Sequence, residues 1–580
     1  MKNLFPERGS LNLSIIQKKI LKSWRENNVF YASIRKGSPE FVFYEGPPSA
    51  NGLPGIHHVM ARSIKDLFCR YKTQKGFKVE RRAGWDTHGL PVELGVEKAL
   101  GITKEDIGEK ITIEEYNQAC KEAVMKYTGI WNDLTEKMGY WVDMENPYVT
   151  YKSKYIESVW WILSNIYNKG LIYKGYTIQP YSPKAGTGLS SHELNQPGCY
   201  RDVKDVSATA LFKISPSNQS LKLFGNSTVH FMAWTTTPWT LPSNTALTIG
   251  KKIEYSRVST FNPYTKQKQE IVIATDLISA YFKQEDENIN DGPIKKSLPW
   301  AIISRHRGEE FVGLRYEPLL NYAVPFENAE NAYQVISGDF VTTQDGTGVV
   351  HTAPTFGADD AQVAKEFGVP PMLIKDKSQN LVPLVDLQGK FVDCMGDLAG
   401  KYVKIEYYSK ENKPELSVDE EICIKLKKEG KAFRVQKYSH SYPHCWRTDM
   451  PILYYPMDSW FVKTTAMKKE LKELNKEILW KPESTGTGRF GNWLENLNDW
   501  NLSRSRYWGI PLPIWRTADG KEEKIIDSIQ MLKEELEISS KNGIMKTNPL
   551  KSFSPGEKLL RGFVFIMPFL ALISSSSLSI

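Results

Sequence analysis

Apolar residues recur at helical spacing through the first part of the chain and give way to short strand-like runs after about residue 203. The first stripe is Ile15, Ile16, Ile20, Leu21 and Trp24, which predicts a helix over about residues 12–30 that packs on the next unit of the chain. Phe41-Val42-Phe43-Tyr44 reads as a strand. It ends in Gly46-Pro47-Pro48-Ser49-Ala50-Asn51-Gly52, which continues neither as strand nor as helix. From about His58, Val59, Ile64, Leu67 and Phe68 return at helical intervals with Arg62, Lys65, Asp66 and Arg70 between them. Thr112 to Met138 is predicted helical, with Thr112 as cap and Glu115 three residues on. Tyr155 to Tyr167 is a strongly apolar helix that ends near Lys169-Gly170. Between about 203 and 410, the runs Ala208–Ile214, Val229–Trp234, Glu270–Ala274, Trp300–Ile303 and Gly348–His351 predict a β-rich domain.

Three of these places carry candidate chemistry. A strand, a Gly/Pro loop and a helix in succession present backbone N–H groups and a helix N-terminus to phosphate oxygens, and His57 and His58 stand where that helix begins. In a second loop, Gly84-Trp85-Asp86-Thr87-His88-Gly89, the Asp86 carboxylate either holds an amino group beside the phosphate site or merely caps the loop. Within the β-rich stretch lie Trp234-Thr235-Thr236-Thr237-Pro238-Trp239-Thr240-Leu241-Pro242 and Gly346-Thr347-Gly348-Val349-Val350-His351-Thr352-Ala353-Pro354, the latter running on to Asp359-Asp360. By itself a threonine triplet signals β-propensity and exposed hydroxyls.

Composition narrows the class. The 580 residues are 41% hydrophobic and 24% charged, about three to four domains' worth of soluble enzyme. The net charge of +8, from 75 basic and 67 acidic residues, is no nucleic-acid signature, so any nucleic-acid-binding face is a local patch. Six scattered cysteines without a Cys-x-x-Cys pair read as reduced thiols of a cytoplasmic protein. The first residues lack the apolar core of a secretory signal.

The Gly46–Gly52 loop, the histidine-bearing helix start and Gly84-Trp85-Asp86-Thr87-His88-Gly89-Leu90-Pro91-Val92-Glu93 together resemble the first half of a class I aminoacyl-tRNA synthetase, among them the isoleucine enzymes. The resemblance implies an α/β fold, a Rossmann-like catalytic domain with an inserted β-rich editing domain. It divides the chain into a helical lead-in (1–40), the first half of the catalytic domain with a connecting segment (41–202), the insertion (203–410), an incomplete return to the catalytic domain (411–555) and an aberrant apolar, serine-rich tail (556–580). It further implies an isoleucine–tRNA ligase, monomeric, cytoplasmic and free of the membrane. Such an enzyme activates isoleucine with ATP (and its accompanying Mg²⁺), transfers it to tRNA(Ile) and hydrolyses valyl-tRNA(Ile). Gly46, Asn51, Gly52 and His58 would bind ATP, with His57 and His58 at the catalytic helix start, and Pro47, Asp86 and Trp508 would hold isoleucine. Thr235, Thr236, Thr237, His351 and Asp360 would carry the editing hydrolysis, with Asp359 the alternative if the register shifts by one.

The sequence also departs from that family. His-x-Gly-His is usual at the helix start, but here the register reads Gly55-Ile56-His57-His58, so His58 aligns with the final histidine and His57 stands where a glycine is usual. Where relatives carry paired Cys-x-x-Cys knuckles, this chain has Ser182 with Ala185 and Cys445 with Thr448, so neither metal nor structural zinc is expected; His440, His444 and Cys445 read as a structural turn. Asn498–Gly509 resembles the segment beside the amino-acid pocket, in which Trp508 would wall the side chain and Arg504 and Arg506 would meet phosphate. A Lys-Met-Ser-Lys-Ser-like loop is absent, and Arg561–Ile580 reads as a truncated or frame-shifted end. These departures keep open a free-standing editing hydrolase or a non-catalytic fragment.

Overall fold

The computed structural model describes residues 10–288, 298–377, 379–517 and 521–541; the tail at 556–580 lies outside them. The chain forms two compact units, Met1–Tyr173 with Val462–Asn498 and Arg506–Ile580, and Lys174–Phe461 with Asp499–Ser505. The second unit is wider than the 203–410 stretch expected to form a domain, since it takes in 174–202 and 411–461 as well.

In the first unit, α1 (Leu13–Glu26) starts where the Asn12 side chain accepts the Ile15 N–H at 3.1 Å. The helix expected over 12–30 ends early, and a second begins at Val29. Trp24 anchors α1 edge-on against Trp141, ring centroids 5.2 Å apart. Phe41–Tyr44 is extended but is no strand. Its pairing stops at Phe41: a bridge joins Glu40 to Lys78, the Phe41 N–H donates to the Lys78 carbonyl and the Lys78 N–H to the Pro39 carbonyl, and apolar composition without a longer ladder does not make a sheet. The helix α2 (Ile56–Gln74) comes next, then β1 (Arg82–Trp85) and α3 (Leu90–Leu100). The stretch from Thr112 splits into α4 (Ile113–Val124) and α5 (Thr128–Lys137). The Thr112–Glu115 capping box forms as expected, but the Tyr127 N–H leaves the helical ladder for the Ala50 carbonyl. β2 (Asp143–Val149) returns parallel to β1, which makes the crossover of an α/β fold, and α6 (Ser153–Asn168) buries Trp160.

The second unit is built on a nine-stranded mixed sheet. Its strands are β3 (Tyr200–Lys213), β4 (Val229–Thr235), β5 (Ala246–Ile249), β6 (Glu254–Phe261), β7 (Lys268–Ala274), β8 (Ala301–Arg307), β9 (Gln334–Ser337), β10 (Val349–Thr352) and β11 (Ala432–Pro443). The order is β8-β6-β7-β4-β10-β5-β9, with β3 also pairing β4 and β11 pairing β3. Every residue of β5 is buried, as are Phe231, Met232 and Ala233 of β4, because the sheet is covered on both faces. Two helices matter for the site, α7 (Ala358–Glu366) and α8 (Val418–Lys428).

Candidate functional site

β4 and β10 are neighbours and run parallel, with Val350 opposite Trp234. The segments leaving their C-terminal ends therefore open on the same side of the sheet, the edge where α/β folds place ligands. A cavity of about 440 Å³ lies there, and Thr235, Thr236, Thr237, His351 and Asp360 all line it. Trp234, Phe340, Val350 and Phe356 add apolar wall. Glycine is required at two points: Gly348 has φ +74°, and a Cβ on it would lie 2.4 Å from the Ala274 Cβ, while one on Gly357 would lie 2.8 Å from the Asp360 Cγ.

Hydrogen bonds fix the wall in one direction. Tyr316 O–H donates to Asn244 Oδ1 at 2.6 Å, and Asn244 Nδ2 donates to His351 Nδ1 at 2.8 Å. His351 Nε2 is then the protonated nitrogen and donates to Thr240 Oγ1 at 3.0 Å, whose own hydrogen goes to the Thr237 carbonyl at 2.8 Å. Thr237 N–H donates to Thr235 Oγ1 at 3.1 Å. Burial pushes the His351 imidazole down to about 3, so it is neutral at any working pH. Both its nitrogens are occupied by protein groups, and it reaches a water only through Thr240 or by exchanging a partner. Asp360, in the first turn of α7, accepts the Ala353 N–H at 2.8 Å; burial raises its carboxyl to about 6. Thr240, Asn244 and Tyr316 carried no signal in the sequence beyond the neighbourhood of the threonine run.

In the first unit, the two loops meet: the Asp86 N–H donates to the Pro48 carbonyl at 3.0 Å. Pro47, partly buried, precedes that contact, and Gly46 lies exposed beside it. The far end of the first loop is tied by Trp131, whose indole N–H donates to the Gly52 carbonyl at 2.8 Å; Asn51 Oδ1 lies 2.9 Å from Ser49 Oγ. His58 occupies the first turn of α2, its Nδ1 accepting the Gly55 N–H at 2.9 Å, which leaves Nε2 as the protonated nitrogen. Its ring meets Trp131 edge-on at 4.7 Å and the exposed His57 at 3.8 Å. Lost hydration, then the nearby His57 and Arg62 charges, lower its pKa. Asp86 keeps an exposed face, yet partial desolvation raises its carboxyl against the opposing pull of the His88 N–H.

Trp508 is 9% exposed and joins the second loop through its indole N–H, 2.5 Å from the Thr87 carbonyl. Sequence reading missed the residue that seats it: Glu93, 1% exposed, accepts the Trp508 N–H at 3.0 Å and Arg506 Nε at 3.0 Å. Arg506 also pairs with Glu97, so its guanidinium is spent inside the protein rather than offered to phosphate. Arg504 donates to the Asn501 and Ser503 carbonyls.

The Cys445 neighbourhood disperses its ligand-like groups. Ser182 Oγ accepts the Ala185 N–H, the Cys445 N–H goes to the Met450 carbonyl, His440 faces Asp205 and His444 Nδ1 faces the Tyr442 carbonyl. Among the described residues no group of three or more His, Cys, Asp or Glu is placed to hold a metal ion, and no helix is long and apolar enough to cross a membrane.

Comparison with known proteins gives the same family from an independent direction. Residues 19–559 match the family of class I tRNA synthetases (I, L, M and V). The isoleucine–tRNA ligase of Porphyromonas gingivalis is 57% identical over 578 residues, 96% of this chain and 50% of that protein, and that of Cytophaga hutchinsonii is 57% identical over 93% of this chain and 49% of its own length. This chain spans about half the length of the curated relatives it matches. A solved LeuRS–tRNA–LeuAMS complex from Agrobacterium radiobacter K84 aligns over 89% of this chain and 52% of that one at 15% identity and a TM-score of 0.33. The chain belongs to the class I tRNA synthetases of the I, L, M and V group.

Proposed function

We propose that this chain serves isoleucine–tRNA ligation with hydrolytic proofreading: ATP-dependent activation of isoleucine, transfer to tRNA(Ile), and removal of valine misplaced on that tRNA. The observation that carries it is the convergence of Thr235, Thr236, Thr237, His351 and Asp360 on one cavity. A second site is a physical need, because one missing methylene is worth only about 1–3 kcal/mol in an apolar pocket, a figure already established for isoleucine against valine.

In the cavity, the threonine hydroxyls hold the attacking water and the terminal ribose, and the Asp360 carboxylate pairs with the substrate ammonium. His351, neutral and doubly bonded, keeps Thr240 in place. In the first unit, His58 Nε2–H and the start of α2 face ATP phosphates along the Gly46–Gly52 loop, with His57 beside them; Asp86 takes the isoleucine ammonium and Pro47 and Trp508 its side chain. The isoleucine carboxylate then attacks the α-phosphate of ATP in line as pyrophosphate leaves, and orientation rather than a protein nucleophile supplies the rate. Mg²⁺ arriving with ATP would offset phosphate charge. In this reading residues 203–410 are the proofreading insertion and 41–202 with 411–555 the catalytic fold, in a cytoplasmic monomer.

Isoleucine-dependent exchange of pyrophosphate into ATP tests activation, and release of valine from valyl-tRNA(Ile) tests proofreading. Deacylation without exchange would favour the second reading, a hydrolase alone. That reading draws support from the cavity's lining, which comes wholly from one compact unit. Absence of both would sink the assignment.

A further inference from the structure

The first turn of α8 holds a buried carboxylate that the proposed hydrolysis does not use. Asp419 is 5% exposed, and its Oδ1 accepts the Trp239 N–H at 2.8 Å, across 180 positions of sequence. Trp239 opens the tight turn Pro238–Ser243. Pro238 has no N–H, so the Trp239 N–H is the first donor of that turn and lacks an intrahelical acceptor. The same turn carries Thr240, which bonds both His351 and the Thr237 carbonyl. Asp419 itself is not among the residues lining the cavity.

A charged group is a costly way to satisfy one N–H. Burial lifts the Asp419 carboxyl to about 7, against the pull of Lys404 and the Trp239 N–H, while Asp205 and Glu406 add to the rise. Lys404 is itself 5% exposed, bonded to Asp205 at 2.9 Å and seated over the Tyr442 ring at 4.3 Å. His440 faces the other side of Asp205 at 3.4 Å. The Lys404–Asp205 pair acts on the Asp419 carboxyl through charge, and the bond that its Oδ1 makes is to the turn.

From this geometry we propose that Asp419 is a positioning residue for ester hydrolysis in the threonine cavity, holding the Pro238–Ser243 turn so that Thr240 keeps its bonds to His351 and to the Thr237 carbonyl. The inference rests on the proofreading reading of that cavity.

The test compares deacylation of valyl-tRNA(Ile) by the 580-residue chain and by its Asp419→Ala and Asp419→Asn variants, with hydrogen exchange at the Trp239 amide measured in parallel. Asp419→Ala is expected to lower kcat about 100-fold, the scale of a small misplacement of reacting groups, with KM within about threefold. Asp419→Asn keeps an oxygen acceptor and is expected to retain most of the rate. If Asp419→Ala fails to fold, Asp419→Ser, whose hydroxyl is too short to reach Trp239, takes its place. Equal losses in the short variant and in Asp419→Asn, a loss carried in KM alone, or no loss would overturn the proposal. Should the parent chain release no valine, the proofreading reading falls, and exchange decides the positioning claim separately. Trp239 exchanging about tenfold faster in the short variant than in Asp419→Asn supports it, and equal exchange overturns it.

Discussion

The threonine cavity closes its polar groups on one another, whereas the Pro47–Asp86 loops leave theirs open over a buried base. His351 has both nitrogens bonded and almost no contact with water; His58 has one nitrogen bonded and is half-buried. Asp360 lies within the protein and bonds a backbone N–H, while Asp86 keeps an exposed face. The rigidity of the first region sits in its walls. In the second it sits one layer down, where Glu93, Glu97 and Arg506 form a buried cluster that seats Trp508 against the second loop, and where Trp131 of α5 ties the first. A cavity for a positioned water gains from walls that cannot reorganise. Loops that admit a nucleotide need free donors on a fixed support.

The largest effect is expected at that support. Glu93→Ala strips Arg506 of one buried acid partner and frees the Trp508 N–H, and breaking such a buried pair costs roughly 3–5 kcal/mol. Denaturant unfolding should show the loss. In the second unit, a spectroscopic probe of the sheet should unfold at an unchanged midpoint, and a shift there would blur the distinction between the two regions.

Next comes the cavity's acid. Asp360→Asn keeps the acceptor for Ala353 but loses the charge, and deacylation of valyl-tRNA(Ile) is expected to fall about 100-fold, on the order of 2.7 kcal/mol. With its carboxyl lifted to about 6, the unaltered chain should gain rate as pH rises through that value, and the variant should lose this rise. An unchanged rise would move the titration to another group.

The motifs that name these regions were legible because each is a contiguous run at the end of a strand or the start of a helix. The threonine triplet and Gly346–Pro354 declared themselves, and the parallel register of β4 and β10 then joined them. Their supports were not legible. Asn244 and Tyr316 act through contacts that exist only once β5 and its neighbours are packed, and Asp419 reaches its turn from a distant helix. Glu93 lay in plain view beside the second loop, but its role depends on Arg506, which is 413 positions away. Phe41–Tyr44 failed for a related reason: strand pairing belongs to two segments, and only one bridge partner stands nearby.

His351 offers a smaller, graded effect. Its folded value of about 3 lies below the ordinary 6.5, so between these values the unfolded chain takes up a proton that the folded chain refuses. Stability is therefore intact above about pH 6.5 and is lost on acidification, with a limiting slope of about 1.4 kcal/mol per pH unit. His351→Gln should abolish that slope, so the difference between parent and variant, measured as unfolding midpoint against pH, shows it alone. Buried Asp360 acts with the opposite sign and cancels in the difference. An unaltered slope would mean that the imidazole is reached by water after all, and that the cavity wall is as open as the loops.

The smallest effect probes the open region at the bond that ties the far end of its first loop. Trp131 donates one N–H to the Gly52 carbonyl and lays its ring against His58. Trp131→Phe keeps an aromatic edge and deletes the donor, and a single neutral hydrogen bond is worth about 1 kcal/mol. Phenylalanine fills less of this buried site than the indole does, so the stability cost carries a cavity contribution above that figure, while the effect on the loop stays small. The loop it releases is the one assigned to ATP, so the KM for ATP in isoleucine-dependent pyrophosphate exchange should rise by about fivefold while kcat holds, the mark of binding lost equally in ground and transition states. A fall in kcat at constant KM would instead place Trp131 among the groups that hold the transition state. The loop region would then be as pre-organised as the threonine cavity, and the contrast between them would reduce to exposure alone.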